Sequence, residues 1–100
     1  MSNNSAIPQI LPVTCHTDYV GKGSIFVAIK GSQLDGNSFI PLALQKGASR
    51  IIVEQDSELS SEILDKIKLH NAQLIYVKNT KIYKIKNLSN LNNLNITRFI

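Results

Sequence analysis

The sequence predicts an α/β fold, in which a small, mainly parallel sheet and its flanking helices form three layers. Three runs of strand length support this prediction, at residues 25–29, 50–53 and 74–77, and all their residues are apolar except Arg50. The two segments between them carry apolar residues at helical spacing, and strands that alternate with helices favour parallel pairing. A chain of 100 residues, 43% of them apolar, suffices for one domain with one modest core.

The chain divides into three parts by composition. Residues 1–11 form a loose lead-in, residues 12–77 carry the α/β pattern, and residues 78–100 are basic and rich in asparagine. In the middle part, residues 12–15 predict a short first strand, because two of the four are β-branched. The apolar run at 25–29 follows, and it is typical of a strand that is covered on both faces.

A polar, glycine-bounded loop at residues 31–36 precedes the first predicted helix. Asp35 or Asn37 can cap that helix. Pro41 is tolerated in its first turn, where a missing N–H is harmless, and Gly47 can end it. Four apolar residues are expected to share the buried face: Phe39, Ile40, Ala43 and Leu44.

The second predicted helix begins at Asp56 or Ser57 and precedes the last strand. Its expected apolar face consists of Leu59, Ile63, Ile67 and Leu69. Its acidic residues come early and its lysines late, an order that suits the helix dipole: Glu58 and Glu62, then Lys66 and Lys68. His70 is interpreted as a residue at the helix end, near the negative end of the dipole.

The positive charge of the chain is concentrated in its last part. Residues 78–100 hold five basic residues and no acid (+5), whereas residues 1–77 hold six basic and seven acidic residues (−1), which together give +4. A basic segment can attract nucleic acid, but the absence of an aromatic stacking platform favours a solvated end. The apolar residues here recur every third position, which wraps around a helix, so residues 86–100 are expected to be the least well packed.

The tetrapeptide Gly21-Lys22-Gly23-Ser24 is similar to part of a P-loop, but its context excludes that motif. A P-loop requires a glycine five positions before the Gly-Lys pair, and His16 occupies that place. The sequence therefore predicts no phosphate cradle for ATP, and Lys22 is interpreted as a turn residue.

Cys15, His16 and His70 are too few to predict a metal site or a nucleophile pair. Cys15 is the only cysteine, so no internal disulfide forms, and it is interpreted as a small, partly buried apolar residue. The first residues lack the pattern of a secretion signal, and no apolar run approaches a membrane span. A cytoplasmic location is therefore expected.

One combined pattern resembles the amino-terminal domain of the Mur ligases. It consists of Gly23-Ser24-Ile25-Phe26-Val27-Ala28-Ile29-Lys30-Gly31, Asp35-Gly36, Phe39-Ile40, Ala43 and Gly47-Ala48. The likeness is greatest to the E type, the UDP-N-acetylmuramoyl-dipeptide ligases that add the third peptide residue, and the F type comes second. It covers roughly residues 12–77.

The resemblance implies a substrate-binding role. In this family the amino-terminal domain holds the UDP end of the UDP-N-acetylmuramoyl-peptide, while other domains use ATP and Mg²⁺ for ligation. It thus implies no cofactor and no catalytic residue in this chain, and leaves open whether the chain is an enzyme. The residues implied to lie against the UDP portion are Cys15, Thr17, Ser32, Gln33 and Leu34.

The chain departs from the family pattern at one motif. His16, Thr17 and Asp18 stand where the family has Asp-Ser-Arg. Thr17 keeps a hydroxyl, but Asp18 places an anion beside a diphosphate, so weak binding is expected.

Two other interpretations stay open. The chain can be a truncated remnant that keeps the fold without the function, because only 13 residues precede Thr14 and the family's usual leading helix is missing. It can also be an unrelated small α/β protein whose basic end attracts nucleic acid, although nucleic acid is the disfavoured partner. Separate ligase domains are a further possible partner.

Overall fold

A computed structural model describes residues 9–31 and 35–83 of the chain. Four strands form one parallel sheet in the order β1-β2-β3-β4. Their bounds are Val13–Thr14 for β1, Ile25–Val27 for β2, Arg50–Glu54 for β3 and Gln73–Val77 for β4. The predicted α/β class and parallel pairing are confirmed, and each strand lies within or beside its predicted run.

Two α-helices and two 3-10 turns connect the strands. The helices are α1, Ile40–Gln45, and α2, Ser61–Leu69. The 3-10 turns span Thr17–Tyr19 and Gly36–Phe39. A further helical turn covers residues 80–83 at the end of the described region. Within the described ranges, no helix is long and apolar enough to cross a bilayer.

The sheet has a hydrophobic cluster on each face, because successive strand residues point to opposite sides. Cluster 1 joins one face to both helices and contains the buried residues Val20, Phe26, Ala28, Ile40, Ala43, Leu44, Ala48, Ile51, Val53 and Ile67. Cluster 2 covers the other face and contains Val13, Ile25, Val27, Ile52, Ile75, Val77 and Tyr83. The alternation assigns Phe26 and Ile51 to cluster 1 and their neighbours Ile25 and Ile52 to cluster 2.

The start of α1 follows the prediction only in part, because the N-cap of α1 itself is Phe39, which forms no side-chain cap hydrogen bond. The Asp35 carboxylate accepts a hydrogen bond from the backbone N–H of Asn37 at 3.0 Å, which caps the 3-10 turn that leads into α1. Pro41 lies in the first turn of α1, where no donor is needed. The expected burial of Phe39 was wrong: its side chain is 40% exposed, and it lies in the 3-10 turn that precedes α1 and not on the helix.

The start of α2 differs from the prediction. The helix begins at Ser61, because the Ser60 hydroxyl accepts a hydrogen bond from the N–H of Ile63 at 3.2 Å and caps it there. Leu59 therefore packs against cluster 1 from outside the helix. Leu69 is 80% exposed, contrary to expectation, because it lies about 200° around the helix from the buried Ile67.

Both helices end in the same hydrogen-bonded motif. In α1 the N–H of Gly47 donates to the Leu44 carbonyl, the N–H of Ala48 donates to the Ala43 carbonyl, and Gly47 has φ +106°. This pairing is a Schellman motif, in which the residue after the helix adopts a left-handed conformation. Asn71, with φ 58°, plays the corresponding part after α2. The interpretation of His70 as a helix-end residue is confirmed, since it caps α2.

Residues 79–83 pack onto the sheet. The Asn79 side-chain oxygen accepts a hydrogen bond from the N–H of Ile82 at 3.0 Å, which caps this turn. Thr80 and Tyr83 are buried, with exposures of 0% and 2%, and Tyr83 belongs to cluster 2. The expectation about packing of residues 86–100 falls outside the described residues.

Candidate functional site

Two candidate segments follow β1 and β2, whose carboxyl ends lie at one edge of the sheet because the strands are parallel. The segment after β1 starts with a local turn. The Thr14 hydroxyl is buried and accepts a hydrogen bond from the N–H of His16 at 3.0 Å. Threonine hydroxyls stabilise such turns by replacing a backbone acceptor. The turn directs the chain into the 3-10 turn Thr17–Tyr19.

Thr17 is held by its backbone carbonyl. This oxygen accepts hydrogen bonds from the Val20 N–H at 3.2 Å and from the Lys46 Nζ at 2.8 Å. The Thr17 side chain is half-buried, while Asp18 beside it is exposed. A half-buried hydroxyl on a fixed backbone is available to a ligand, and so is the neighbouring carboxylate.

The other residues of this segment have structural contacts. Cys15 is half-buried and packs against cluster 2, as expected of a small apolar residue. The exposed His16 ring meets the Tyr19 ring edge-on, with centroids 6.1 Å apart. Among the described residues, no group of three His, Cys, Asp or Glu side chains is arranged to hold a metal ion.

The loop after β2 has a well-defined stem, which we define as Lys30, Gly31, Asp35 and Gly36. Lys30 and Asp35 form an antiparallel bridge. The N–H of Gly36 donates to the Ile29 carbonyl at 2.9 Å. A Cβ on Gly36 would lie 2.7 Å from both the N and the O of Ile29, so only glycine fits. The implied ligand residues Ser32, Gln33 and Leu34 lie outside the described residues.

The loop stem is hydrogen-bonded to a polar network that consists of Thr80 and Glu54. The Thr80 hydroxyl accepts a hydrogen bond from the Lys30 N–H at 3.3 Å and donates one to the Glu54 Oε1 at 3.1 Å. The Thr80 N–H also donates to the Glu54 Oε1, at 3.2 Å. On the surface, the Lys30 ammonium pairs with the Asp56 carboxylate at 3.3 Å. Glu54 is the polar last residue of β3 and follows three buried apolar residues, a position that could have drawn attention to it.

The two candidate segments contact opposite ends of α1. The loop stem leads into the first turn of α1 through Gly36–Phe39, whereas Thr17 is bonded to Lys46, which caps the last turn. A helix of six residues is about 9 Å long.

The tetrapeptide at residues 21–24 does not fit ATP or Mg²⁺. The Ser24 hydroxyl is buried, donates to the Leu11 carbonyl at 2.7 Å and accepts from the Gly21 N–H at 3.0 Å. A P-loop serine must instead offer its hydroxyl to the metal ion. The segment also precedes β2, so it lies at the opposite edge of the sheet from the loop stem. The interpretation as a structural turn agrees with these contacts.

A family profile described as "Mur ligase family, catalytic domain" matches residues 10–94. The chain belongs to the Mur ligase family. Since that match covers most of the chain, membership applies to the α/β domain as a whole. The resemblance seen in the sequence is thereby confirmed.

The chain is also similar in sequence to individual Mur ligases, in line with the resemblance to the E type. The chain is 48% identical over 56 residues to the UDP-N-acetylmuramoyl-L-alanyl-D-glutamate–2,6-diaminopimelate ligase of Haemophilus influenzae (strain 86-028NP), a match that covers 56% of this chain and 11% of the ligase. It is 34% identical over 70 residues to the second such ligase of Clostridium acetobutylicum, covering 70% of this chain and 13% of that protein. The chain thus spans about a tenth of the length of these curated relatives.

One solved structure is also similar to the chain. A MurF ligase from Thermotoga maritima, in complex with ADP, superimposes with a TM-score of 0.49 at 24% sequence identity. The match covers 91% of this chain and 18% of that one.

Proposed function

We propose that this chain is a UDP-binding domain of a peptidoglycan-synthesis Mur ligase of the type that adds the third peptide residue, and that it has no ligase activity alone. The observation that carries the proposal is the glycine-built loop stem at the carboxyl end of β2. Gly36 lies so close to the Ile29 backbone that the chain must reverse there. The proposed substrate is a UDP-N-acetylmuramoyl-peptide, bound at its UDP end.

The ligand groups proposed for this site come from the two segments described above. Thr17 supplies a hydroxyl, and Cys15 supplies a small apolar surface beside it. The backbone of the loop stem can approach a ligand closely at Gly31, which has no side chain. Ser32, Gln33 and Leu34 are proposed as further contacts on the basis of the family pattern alone.

Binding by this chain alone is expected to be weak. Asp18 places a negative charge in the turn that carries Thr17, and like charges repel a diphosphate. The dissociation constant for UDP should be no tighter than about 1 mM, or roughly −4 kcal/mol. The same proposal includes a cytoplasmic location and ATP and Mg²⁺ as the cofactors of a parent ligase, both of which rest on the family resemblance.

An NMR titration of the ¹⁵N-labelled chain with UDP tests the proposal. We expect saturable amide shifts at Thr17 and at the loop stem, and smaller shifts with uridine, which lacks the diphosphate. The amides of α2 serve as the internal control, because that helix lies outside the proposed site. If UDP up to tens of millimolar moves neither segment, the binding role is absent and the remnant interpretation is favoured.

A further inference from the structure

Thr80 joins three separate parts of the chain through one buried hydroxyl. Its side chain is 0% exposed. The hydroxyl oxygen accepts from the Lys30 N–H after β2, and its proton goes to the Glu54 carboxylate at the end of β3. Thr80 itself comes after β4. The ends of three strands are therefore tied together at a single side chain.

The carboxylate of Glu54 determines how that hydroxyl is oriented. A hydroxyl has one proton and two lone pairs, so it can rotate between donor directions. Glu54 Oε1 is an acceptor only, and it also holds the Thr80 backbone N–H at 3.2 Å. Because the proton of Thr80 points at Glu54, a lone pair is left facing the N–H of Lys30.

The orientation of the Thr80 hydroxyl affects Lys30, whose backbone N–H donates to it. β2 ends at Val27, and Lys30 lies in the bridge with Asp35 that closes the stem. Its N–H thus finds an acceptor in a side chain from a distant part of the sequence. This bond is partly shielded from water, so its loss is unfavourable and it restrains the position of the stem.

The nearby ion pair is the weaker restraint. The Lys30 and Asp56 side chains are 49% and 67% exposed. Exposed ion pairs are screened by water and salt and stabilise little. The partly buried hydrogen bonds of Thr80 are therefore expected to restrain Lys30 more than the ion pair does.

We infer that Glu54 and Thr80 are positioning residues that hold the loop stem in place for ligand binding. They act through the Lys30 backbone and do not touch the ligand. Their effect on the stem follows from the contacts above, whereas their effect on affinity rests on the proposed UDP-binding function.

The test compares Thr80→Val, which removes the hydroxyl and keeps the shape, with Thr80→Ser, which keeps the hydroxyl. Ser60→Ala is the matched control, because it removes one side-chain hydrogen bond at α2, away from the stem. Amide hydrogen exchange and chemical shifts are recorded for Lys30, Gly31 and Gly36 in the full chain without ligand, followed by UDP titration and thermal unfolding.

We expect Thr80→Val to speed exchange of the Lys30 amide by about tenfold or more and to weaken UDP binding about fivefold, as loss of one hydrogen bond implies. Thr80→Ser should keep both the exchange rate of the Lys30 amide and the affinity for UDP close to those of the wild type. Ser60→Ala should lower the unfolding temperature without either effect. Equal exchange rates at Lys30 in Thr80→Val and Ser60→Ala would overturn the inference.

A double-mutant cycle separates positioning from general loss of stability. Glu54→Ala should shift the same stem amides as Thr80→Val, and the double variant should add little, since both act through one hydroxyl. Additive effects would contradict the inference. If Thr80→Val does not fold, amide exchange of the loop stem in Glu54→Ala and Thr80→Ser still tests the inference. If the wild-type chain does not bind UDP, the proposed function fails, while the exchange data still test positioning.

Discussion

Lys46 reaches back over 29 residues to donate a hydrogen bond from its Nζ to the Thr17 carbonyl at 2.8 Å. We expect Lys46→Ala to loosen the Thr17–Tyr19 turn, because its carbonyl keeps only the Val20 N–H as a donor. The bond is exposed, so the free energy of unfolding should fall by less than about 1 kcal/mol. Amide shifts and hydrogen exchange at Asp18 to Val20 measure the effect.

Lys68→Ala is the control for that change. It removes an equally charged, exposed lysine from α2, away from the turn. It should leave the exchange of the turn amides unchanged. Similar changes at Thr17–Tyr19 in both variants would indicate a general charge effect and would contradict the role assigned to Lys46.

Two glycines with positive φ, Gly47 after α1 and Gly23 before β2, allow a matched test of the close packing at the end of α1. Gly47 has φ +106°, and an added Cβ would lie 2.8 Å from the Lys22 Cα and 3.0 Å from its N. Gly23 has φ +88°, but nothing lies within 4 Å of an added Cβ. Both alanine variants incur backbone strain of about 1 kcal/mol or more, and Gly47→Ala adds a clash with backbone atoms.

We therefore expect Gly47→Ala to lower the free energy of unfolding more than Gly23→Ala does. Urea unfolding followed by circular dichroism measures both values. Equal losses would show that the contact with Lys22 relaxes easily. A smaller loss for Gly47→Ala would rule out the close approach described here.

Because Tyr83 is buried, we expect the free energy of unfolding to fall at alkaline pH. Burial raises the pKa of its phenol to about 12, an effect that the nearby positive charge of Arg50 partly offsets. A group with a raised pKa in the folded state supports folding fully below its unfolded value of about 10, and this support is lost as the pH rises from 10 towards 12. The loss should be on the order of 2 kcal/mol.

Unfolding in urea at pH 8 to 12 checks that expectation. Tyr83→Phe should remove this part of the pH dependence, because phenylalanine has no proton to lose. Tyr76→Phe is the control, since it removes the hydroxyl of a tyrosine that is 43% exposed. An alkaline slope that Tyr83→Phe leaves unchanged would mean that other groups determine it.

The strands were predictable because their signal is local. A continuous apolar run such as 25–29 is compatible with few structures other than a strand that is covered on both faces. Helix starts were less predictable, because several capping residues precede α2. Asp56, Ser57 and Ser60 are all suitable caps, and only the Ser60 hydroxyl meets a helical N–H in the folded chain.

The polar contacts of the candidate site could not be predicted from the sequence. Glu54 and Thr80 are 26 residues apart, and Thr17 and Lys46 are 29 apart. Nothing local indicates such pairs, because they depend on how the strands and α1 pack. The sequence located the loop stem, since Gly31, Asp35 and Gly36 follow an apolar strand, but it did not reveal what holds that stem.

Asp18→Arg is expected to strengthen UDP binding. The change removes a negative charge from the turn beside Thr17 and adds a guanidinium, which can pair with two phosphate oxygens. Asp18 is exposed, so water reduces the gain to about three- to tenfold in the dissociation constant, or ~1 kcal/mol. The gain should shrink as salt rises from 20 to 300 mM, because ions screen exposed charges.

Asp65→Arg is the control for net charge, because it makes the same change at an exposed position on α2. NMR titration of both variants with UDP, and with uridine as the ligand without phosphate, distinguishes a local from a general effect. A local phosphate contact predicts tighter UDP binding by Asp18→Arg alone and no change for uridine. If Asp65→Arg gains as much, attraction by net charge explains the result, and Asp18 is not beside the diphosphate.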